Sequence, residues 1–380
     1  MPATIPVPPD LLLPTLVDLV QIPSVNPGFT GGTGEAELAV YCATCLREAG
    51  LDVEVQEVAP GRTNVVGVLR GRGDGPSLML LGHLDTEAPG ELRAPFVARR
   101  EKGKLYGLGS ADMKAGLSTM LWSAMILAET GLKLGGDLLV ALVVDQKIGS
   151  LGTRALLERY RPQAALVCEC TGLSVGWLHA GSAVLEIETQ RSRGSNPVTQ
   201  MARVVLGLDE LDRRLAALPT PEGLGPPWFR PTAIFSAAEW GAQPRQCRLR
   251  AERRLLPGEA ESQAEAELTS LLKGLAGGDP TFRAKLAPSQ TASRPAYHHP
   301  PTSPLLGVLE QAVARTTDLP ARRTAHPGWT DAALLQAAGI PALVFGPAGE
   351  AGDEEWVLED SLGLAAEVLV EVALSWCRAS

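Results

Sequence analysis

Two stretches hold the residue types best suited to chemistry. In Leu78-Met79-Leu80-Leu81-Gly82-His83-Leu84-Asp85-Thr86 an apolar run stops at an imidazole and a carboxylate. In Tyr106-Gly107-Leu108-Gly109-Ser110-Ala111-Asp112-Met113-Lys114 a second carboxylate stands in a Gly-rich turn. The first pattern reads as a buried strand delivering His83 and Asp85 to its carboxyl end, where ligands bind in open α/β sheets. His83 would offer a ring nitrogen to a metal, and Asp85, two residues on, points the same way and can orient that ring. Asp112 is placed like a second ligand, just before a helix. The alternative for His83 and Asp85 is a hydrogen-bonded pair within the core.

Periodicity outlines the elements that position these groups. An amphipathic helix runs from Pro9 to Leu19, a turn-rich loop follows to Gly28, and a helical period from Glu35 to Ala49 stops at Gly50. Leu51 to Val58 and Asn64 to Leu69 read as strands, then comes the strand to His83. A helix from Lys114 to Thr130, an apolar strand from Leu138 to Val144, a helix from Leu151 and a strand from Ala164 to Val167 follow. This alternation is typical of a buried, mostly parallel sheet. Between about Gly181 and Pro288 the pattern changes to strands (Val184 to Thr189, Ala233 to Ala238, Arg248 to Leu255) and two helices (Ala202 to Ala216, Glu261 to Leu275). That is a small α+β insert. The α/β pattern returns with a helix from Pro304 to Arg315, a helix from Asp331 to Ala338, a strand from Ala342 to Phe345 and a terminal helix from Glu359 to Trp376. The expected fold is α/β, with a discontinuous core, 1–181 and 289–380, around an inserted domain, 182–288.

At 380 residues the chain exceeds the size at which a single core keeps growing, which agrees with two domains. Apolar residues at 45% and charged residues at 20% describe a globular protein. With 43 acidic against 34 basic residues, the net charge of −9 argues against a general nucleic-acid binder. No 18-residue apolar run and no cationic leader stand in the sequence, so neither a membrane nor a secretory reading is favoured. Six cysteines without zinc-ribbon spacing point to reduced thiols and a cytoplasmic location. Cys42 and Cys45 share one helix face, and Cys168 and Cys170 flank Glu169 as packing residues rather than zinc thiolates.

Several ordered motifs resemble the co-catalytic zinc amidohydrolases, a family that includes aminoacylase, acetylornithine deacetylase, succinyl-diaminopimelate desuccinylase and carboxypeptidase G. They are Gly82-His83-Leu84-Asp85-Thr86, the run from Tyr106 to Gly116, Glu169-Cys170-Thr171, Gly328-Trp329-Thr330-Asp331-Ala332 and the run from Gly339 to Pro347. The loop Ile22-Pro23-Ser24-Val25-Asn26-Pro27 is similar to that family's N-terminal segment. The resemblance implies a zinc-peptidase-like core with an inserted lid domain that often dimerises. It implies that His83, Asp112 and Glu169 hold one zinc, with Asp112 bridging to a second. In the family a Glu-Glu pair supplies the general base and a ligand to that second zinc, and a His near the C-terminus supplies another.

Here the chain departs from the family. Gln146-Lys147 stands where the Glu-Glu pair belongs, and no His is found at Ala351 or Gly352. A hydrolytic zinc site needs an open position for water and a base to take its proton. Gln146, at the base position, has no titratable carboxylate. Protonated Lys147 has no lone pair to ligate with and repels a second cation. Its ammonium beside Asp112 can supply the charge of the missing metal. Asp112 and Glu169 then either hold a metal with His83 or pair with Lys147 in a metal-free pocket, and the sequence leaves both open. One zinc ion at most is implied; a second is not expected.

In the lid, Arg193 falls where the family has a His that reaches the partner's active site. Gly241 stands in place of a substrate-binding Asn. Arg254 and Thr330 match substrate contacts, although Trp329 replaces a Gly beside Thr330. His179 matches a hinge element, and His326 lies close enough to Gly328 to replace a lost ligand. Convergence of Lys147, Arg193 and Arg254 would suit a small anionic, amino-acid-like ligand. A homodimer through the lid is expected. Two functions stay open: a single-zinc amidohydrolase with a substitute base, or a binding protein that keeps the cleft after losing hydrolysis.

Overall fold

The computed structural model describes residues 5–238, 242–289 and 291–378. They divide into two compact units. One runs to Trp177 and resumes with His299–His326 and from Thr330 onward; the other comprises Leu178–His298 with Pro327–Trp329. The return crossing lies later than composition suggested, because Tyr297 and His298 pair with His179 and Leu178.

In the first unit the strands Leu138–Val143, Leu78–His83, Ala164–Val167 and Ala342–Val344 lie side by side and parallel. All four are buried at every residue, which is why they read as continuous apolar runs rather than alternating ones. The antiparallel hairpin Asp52–Ala59 and Arg62–Leu69 extends one edge. The helices Ala36–Glu48, Ala115–Glu129, Pro304–Thr317 and Asp360–Trp376 contribute Leu46, Leu117, Leu309 and Leu369 to a core shared with Leu80, Leu142 and Leu166.

Because the central strands are parallel, His83 and the segments just after Val143 and Val167 emerge at one edge of the sheet. A small antiparallel sheet of Arg99–Glu101, Lys104–Tyr106, Trp356–Leu358 and Gly349–Glu350 brings the 351–355 segment to the turn that carries Asp112. Helix Ala115–Glu129 fits closely against the segment before Glu169. A Cβ on Gly116 would lie 1.7 Å from the Cys168 carbonyl oxygen, so only glycine is tolerated.

The second unit is a four-stranded antiparallel sheet in the order Phe229–Phe235, Gln246–Leu255, Gly181–Gln190, Ala284–Ala287. Helices Pro197–Leu215 and Glu261–Gly278 complete its own core around Ile187, Val204, Leu249 and Leu268. The first helix begins at Pro197, earlier than periodicity suggested, because the Asn196 side chain accepts from Val198 N at 2.8 Å and proline suits the first turn.

Candidate metal centre

His83 closes its strand and is 2% exposed. Its Nδ1 lies 2.8 Å from the Asp85 main-chain oxygen, and since a carbonyl only accepts, Nδ1 carries the hydrogen. That fixes the tautomer and leaves Nε2 facing Asp112 Oδ1 at 3.0 Å and Glu169 Oε1 at 3.3 Å. Sequence spacing assigned the ring's orientation to the Asp85 side chain, but Asp85 Oδ1 is 3.6 Å from Nδ1. The strand ends at His83, so the two-residue alternation that would align the side chains no longer holds at Asp85.

The Asp85 carboxylate is fully buried and serves the neighbouring loop. It accepts from Gln146 N at 3.0 Å, Lys147 N at 2.9 Å and Asn26 Nδ2 at 2.8 Å. Asp145 opens that loop in the left-handed region, at φ 71°, a conformation a short polar side chain tolerates, and its carboxylate accepts from Gly149 N at 3.1 Å. Arg62 bonds both Asp145, at 2.8 Å, and the fully buried Glu35. These contacts hold the loop that carries Gln146 and Lys147, and the Lys147 ammonium donates to Asp112 Oδ2. Asp112 therefore has an imidazole on one oxygen and an ammonium on the other.

The charges are mutually adjusted. Burial pulls the His83 imidazolium down, but Glu169 and Asp112 outweigh it and raise the ring to about 10. Burial works against the Asp112 carboxylate, yet Lys147 and His83 hold it well below the usual range. Lys147, also opposed by burial, is raised above its ordinary value by Asp112 and Glu169.

His83, Asp112 and Glu169 are the one group among the described residues whose ligand atoms, all within 4.8 Å of one another, could hold a metal ion. One imidazole nitrogen and two carboxylates with a fourth position open is a donor set that suits zinc. The second site of the family pattern does not fit a metal, since Lys147 has no lone pair and Ala351 no donor.

Glu355 stands in the loop where the family places its histidine, and no local sequence motif marks it. It is 5% exposed and accepts from Gly109 N at 2.7 Å, Ala111 N at 2.9 Å and Asp112 N at 2.8 Å. Burial pushes its carboxyl up to about 7 against the pull of those amides. A cavity of about 710 Å³ opens beside it, lined by Glu87, Glu91, Asp112, Asp353 and Glu355, with no Lys, Arg or His among its described lining residues. Ala351 is on this wall too.

The remaining candidates are divided between the two units. Thr330 is fully buried in the first unit, and its hydroxyl accepts from Ala332 N at 3.4 Å. Arg193 is exposed on a turn of the second unit, and Arg254 is half-buried on strand Gln246–Leu255. Its neighbour Arg253 is the fully buried one, held by Glu259 and Glu267 at 3.0 Å each. Trp329 donates its indole hydrogen to Pro295 O at 2.9 Å, and His179 is fully buried with Nδ1 donating to Ala180 O at 2.9 Å. His326 is not part of the metal-binding group. Gly241 lies outside the described residues. The six thiols are free, and no described helix is long and apolar enough to cross a membrane.

Comparison with known proteins places these features. The description of Peptidase family M20/M25/M40 matches residues 79–375. The chain is 27% identical to an N-formyl-4-amino-5-aminomethyl-2-methylpyrimidine deformylase of Halalkalibacterium halodurans, over 97% of this chain and 94% of that one. It is 26% identical to the deformylase of the same name from Bacillus subtilis, over 89% and 88%. The fold is shared with a tripeptidase from Staphylococcus aureus (TM-score 0.78, 18% identity, 97% and 98% covered). It is also shared with a dinuclear metal-binding M20 peptidase of Bacillus subtilis (TM-score 0.76, 19% identity, 98% and 99% covered).

Proposed function

Because the chain belongs to Peptidase family M20/M25/M40, we propose that it is an amidohydrolase-type protein that has given up two-metal hydrolysis and keeps its pocket for ligand binding. The observation that carries this reading is the Lys147 ammonium on Asp112 Oδ2, a fixed organic cation on the carboxylate that would bridge two metals. Gln146 beside it cannot deprotonate water. His83, Asp112 and Glu169 would hold a single zinc, which when bound supplies a Lewis acid for a carbonyl oxygen. The chain's own residues orient the donors, fix the His83 tautomer and shield the centre from a second ion.

The ligand reading moves with the structure. The anionic ligand expected from sequence rested on Lys147, Arg193 and Arg254 converging, and of these the Lys147 charge is matched by Asp112 and Glu169. An anion in the cavity would face five carboxyl side chains. We therefore infer an amino-acid-like or aromatic ligand whose protonated amine meets this wall. The deformylase relatives make an N-formyl compound that carries a second, protonated amine the first to try. A homodimer through the second unit is proposed as well, supported by the edge strand Phe229–Phe235, where Ile234 and Phe235 are 54% and 58% exposed.

The rival reading is an active single-zinc amidohydrolase with a substitute base, and the carboxyl of Glu355 at about 7 on the cavity wall favours it. Elemental analysis and turnover of N-formyl and N-acyl amines separate the two. The native chain should carry one zinc or fewer and turn over none of them. A Gln146→Glu/Lys147→Glu/Ala351→His variant should gain a second zinc. Zinc-dependent turnover by the native chain would install the rival, and two zincs per native chain would sink the role given to Lys147.

A further inference from the structure

We propose that Glu355 is a positioning residue that fixes Asp112 as a metal ligand, by gathering the main-chain amides of Gly109, Ala111 and Asp112 onto one buried carboxylate. The proposal rests on the reading that His83, Asp112 and Glu169 hold a metal.

The turn needs such an anchor. Gly109 is left-handed at φ 81°, and Asp112 (φ −126°, ψ 83°) and Met113 (φ −135°, ψ 37°) depart from helical values before helix Ala115–Glu129 begins. Within the turn Ser110 N bonds Gly107 O at 3.0 Å and Lys114 N bonds Gly109 O at 2.7 Å, which leaves the Gly109, Ala111 and Asp112 amides to find acceptors elsewhere. Glu355 supplies them across sequence separations of 243 to 246 residues: Oε1 takes Ala111 and Asp112, and Oε2 takes Gly109. The pairing of Trp356 with Tyr106 sets the register that brings Glu355 there. With its own amide pinned, Asp112 keeps its carboxylate at hydrogen-bond distance from His83. Glu355 touches neither a ring nor a ligand oxygen of the triad in this arrangement; it acts through Asp112.

Glutamine at this position has the same shape but turns one acceptor into a donor, so at least one of the three amides faces an N–H. Zinc affinity of Glu355→Gln, measured by chelator competition, should fall 10- to 100-fold, the usual effect of removing a partner that orients a ligand. Glu350→Gln, exposed on the same hairpin, should match the native chain. Should Glu355→Gln not fold, Glu355→Asp keeps the charge, loses the reach and should fall in the same direction. Affinity within twofold of native would overturn the proposal.

Amide exchange in EDTA gives a second readout that needs no metal. Gly109, Ala111 and Asp112 should exchange at least tenfold faster in the variant while Leu138–Val143 stays protected; equal exchange at the three amides would overturn the proposal. If the native chain takes up no zinc, the single-metal reading fails by itself, and this exchange result alone decides Glu355.

Discussion

Asp112 divides its surroundings into two halves that differ in kind. On one side stand His83 and Glu169, groups that can donate to a metal, with the imidazole tautomer fixed by a main-chain carbonyl. On the other stand Lys147, which donates to Asp112, and the Gln146 beside it, on a loop held by a buried network of Asp85, Asn26, Asp145, Arg62 and Glu35. On the proposed reading, the difference teaches that one half of a metal centre can be replaced without dismantling the other, provided the charge on the shared carboxylate is still met. A buried carboxylate without a counter-charge is costly, and an ammonium meets that need without offering an open coordination position.

Removing the ammonium tests this most severely. In EDTA, Lys147→Met should lose about 1 to 3 kcal/mol in urea unfolding, below the scale for a fully buried ion pair because 28% of the Asp112 side chain is exposed. Zinc should return most of that loss, because a divalent ion then answers Asp112 and Glu169. A variant as stable as the native chain in EDTA would break the equivalence of Lys147 with a missing metal.

Much of the donor half was legible in sequence. An apolar run ending in Gly-His-x-Asp marks a strand end, and a Gly-rich turn before a helix marks the Asp112 corner, because both signals are local. Gln146-Lys147 was equally plain, since it needs only the identity of two side chains. Glu355 was not legible: its role exists only once the 349–358 hairpin pairs with Lys104–Tyr106. The Glu35–Arg62 contact likewise joins a helix cap to a hairpin, and no local pattern announces it. In the second unit two strands and both helices coincide with the sequence reading, but the strand expected over Ala233 to Ala238 lies at Phe229–Phe235, and strand Ala284–Ala287, short and only partly buried, leaves no pattern to read.

The donor half can be sharpened by pH. Metal uptake must displace the proton on His83 Nε2, since Nδ1 keeps its own for the Asp85 carbonyl. The ring's pKa is raised to about 10, so in the metal-free chain zinc competes with that proton throughout the neutral range. Raising the pH removes the competitor, and zinc affinity should climb about tenfold per pH unit between roughly 7 and 9. An imidazole near its ordinary value of about 6.5 would already be neutral there and give no such slope. A flat profile would therefore detach His83 from Glu169 and Asp112.

Asp85 belongs to both halves, through different atoms, and this allows the finest separation. Its main-chain oxygen orients His83, while its carboxylate accepts from the Gln146 and Lys147 amides. Asp85→Asn alters only the carboxylate, placing an N–H against donors that had shared two oxygens. The expected loss is about 2 kcal/mol, that of a charge-assisted contact with a donor left over. The Gln146 and Lys147 amides should lose exchange protection, whereas the His83 ring, read by nitrogen chemical shift in the zinc-loaded chain, should keep its hydrogen on Nδ1. If His83 changed tautomer as well, the carboxylate would govern both sides, and the two halves of the centre would not be separable.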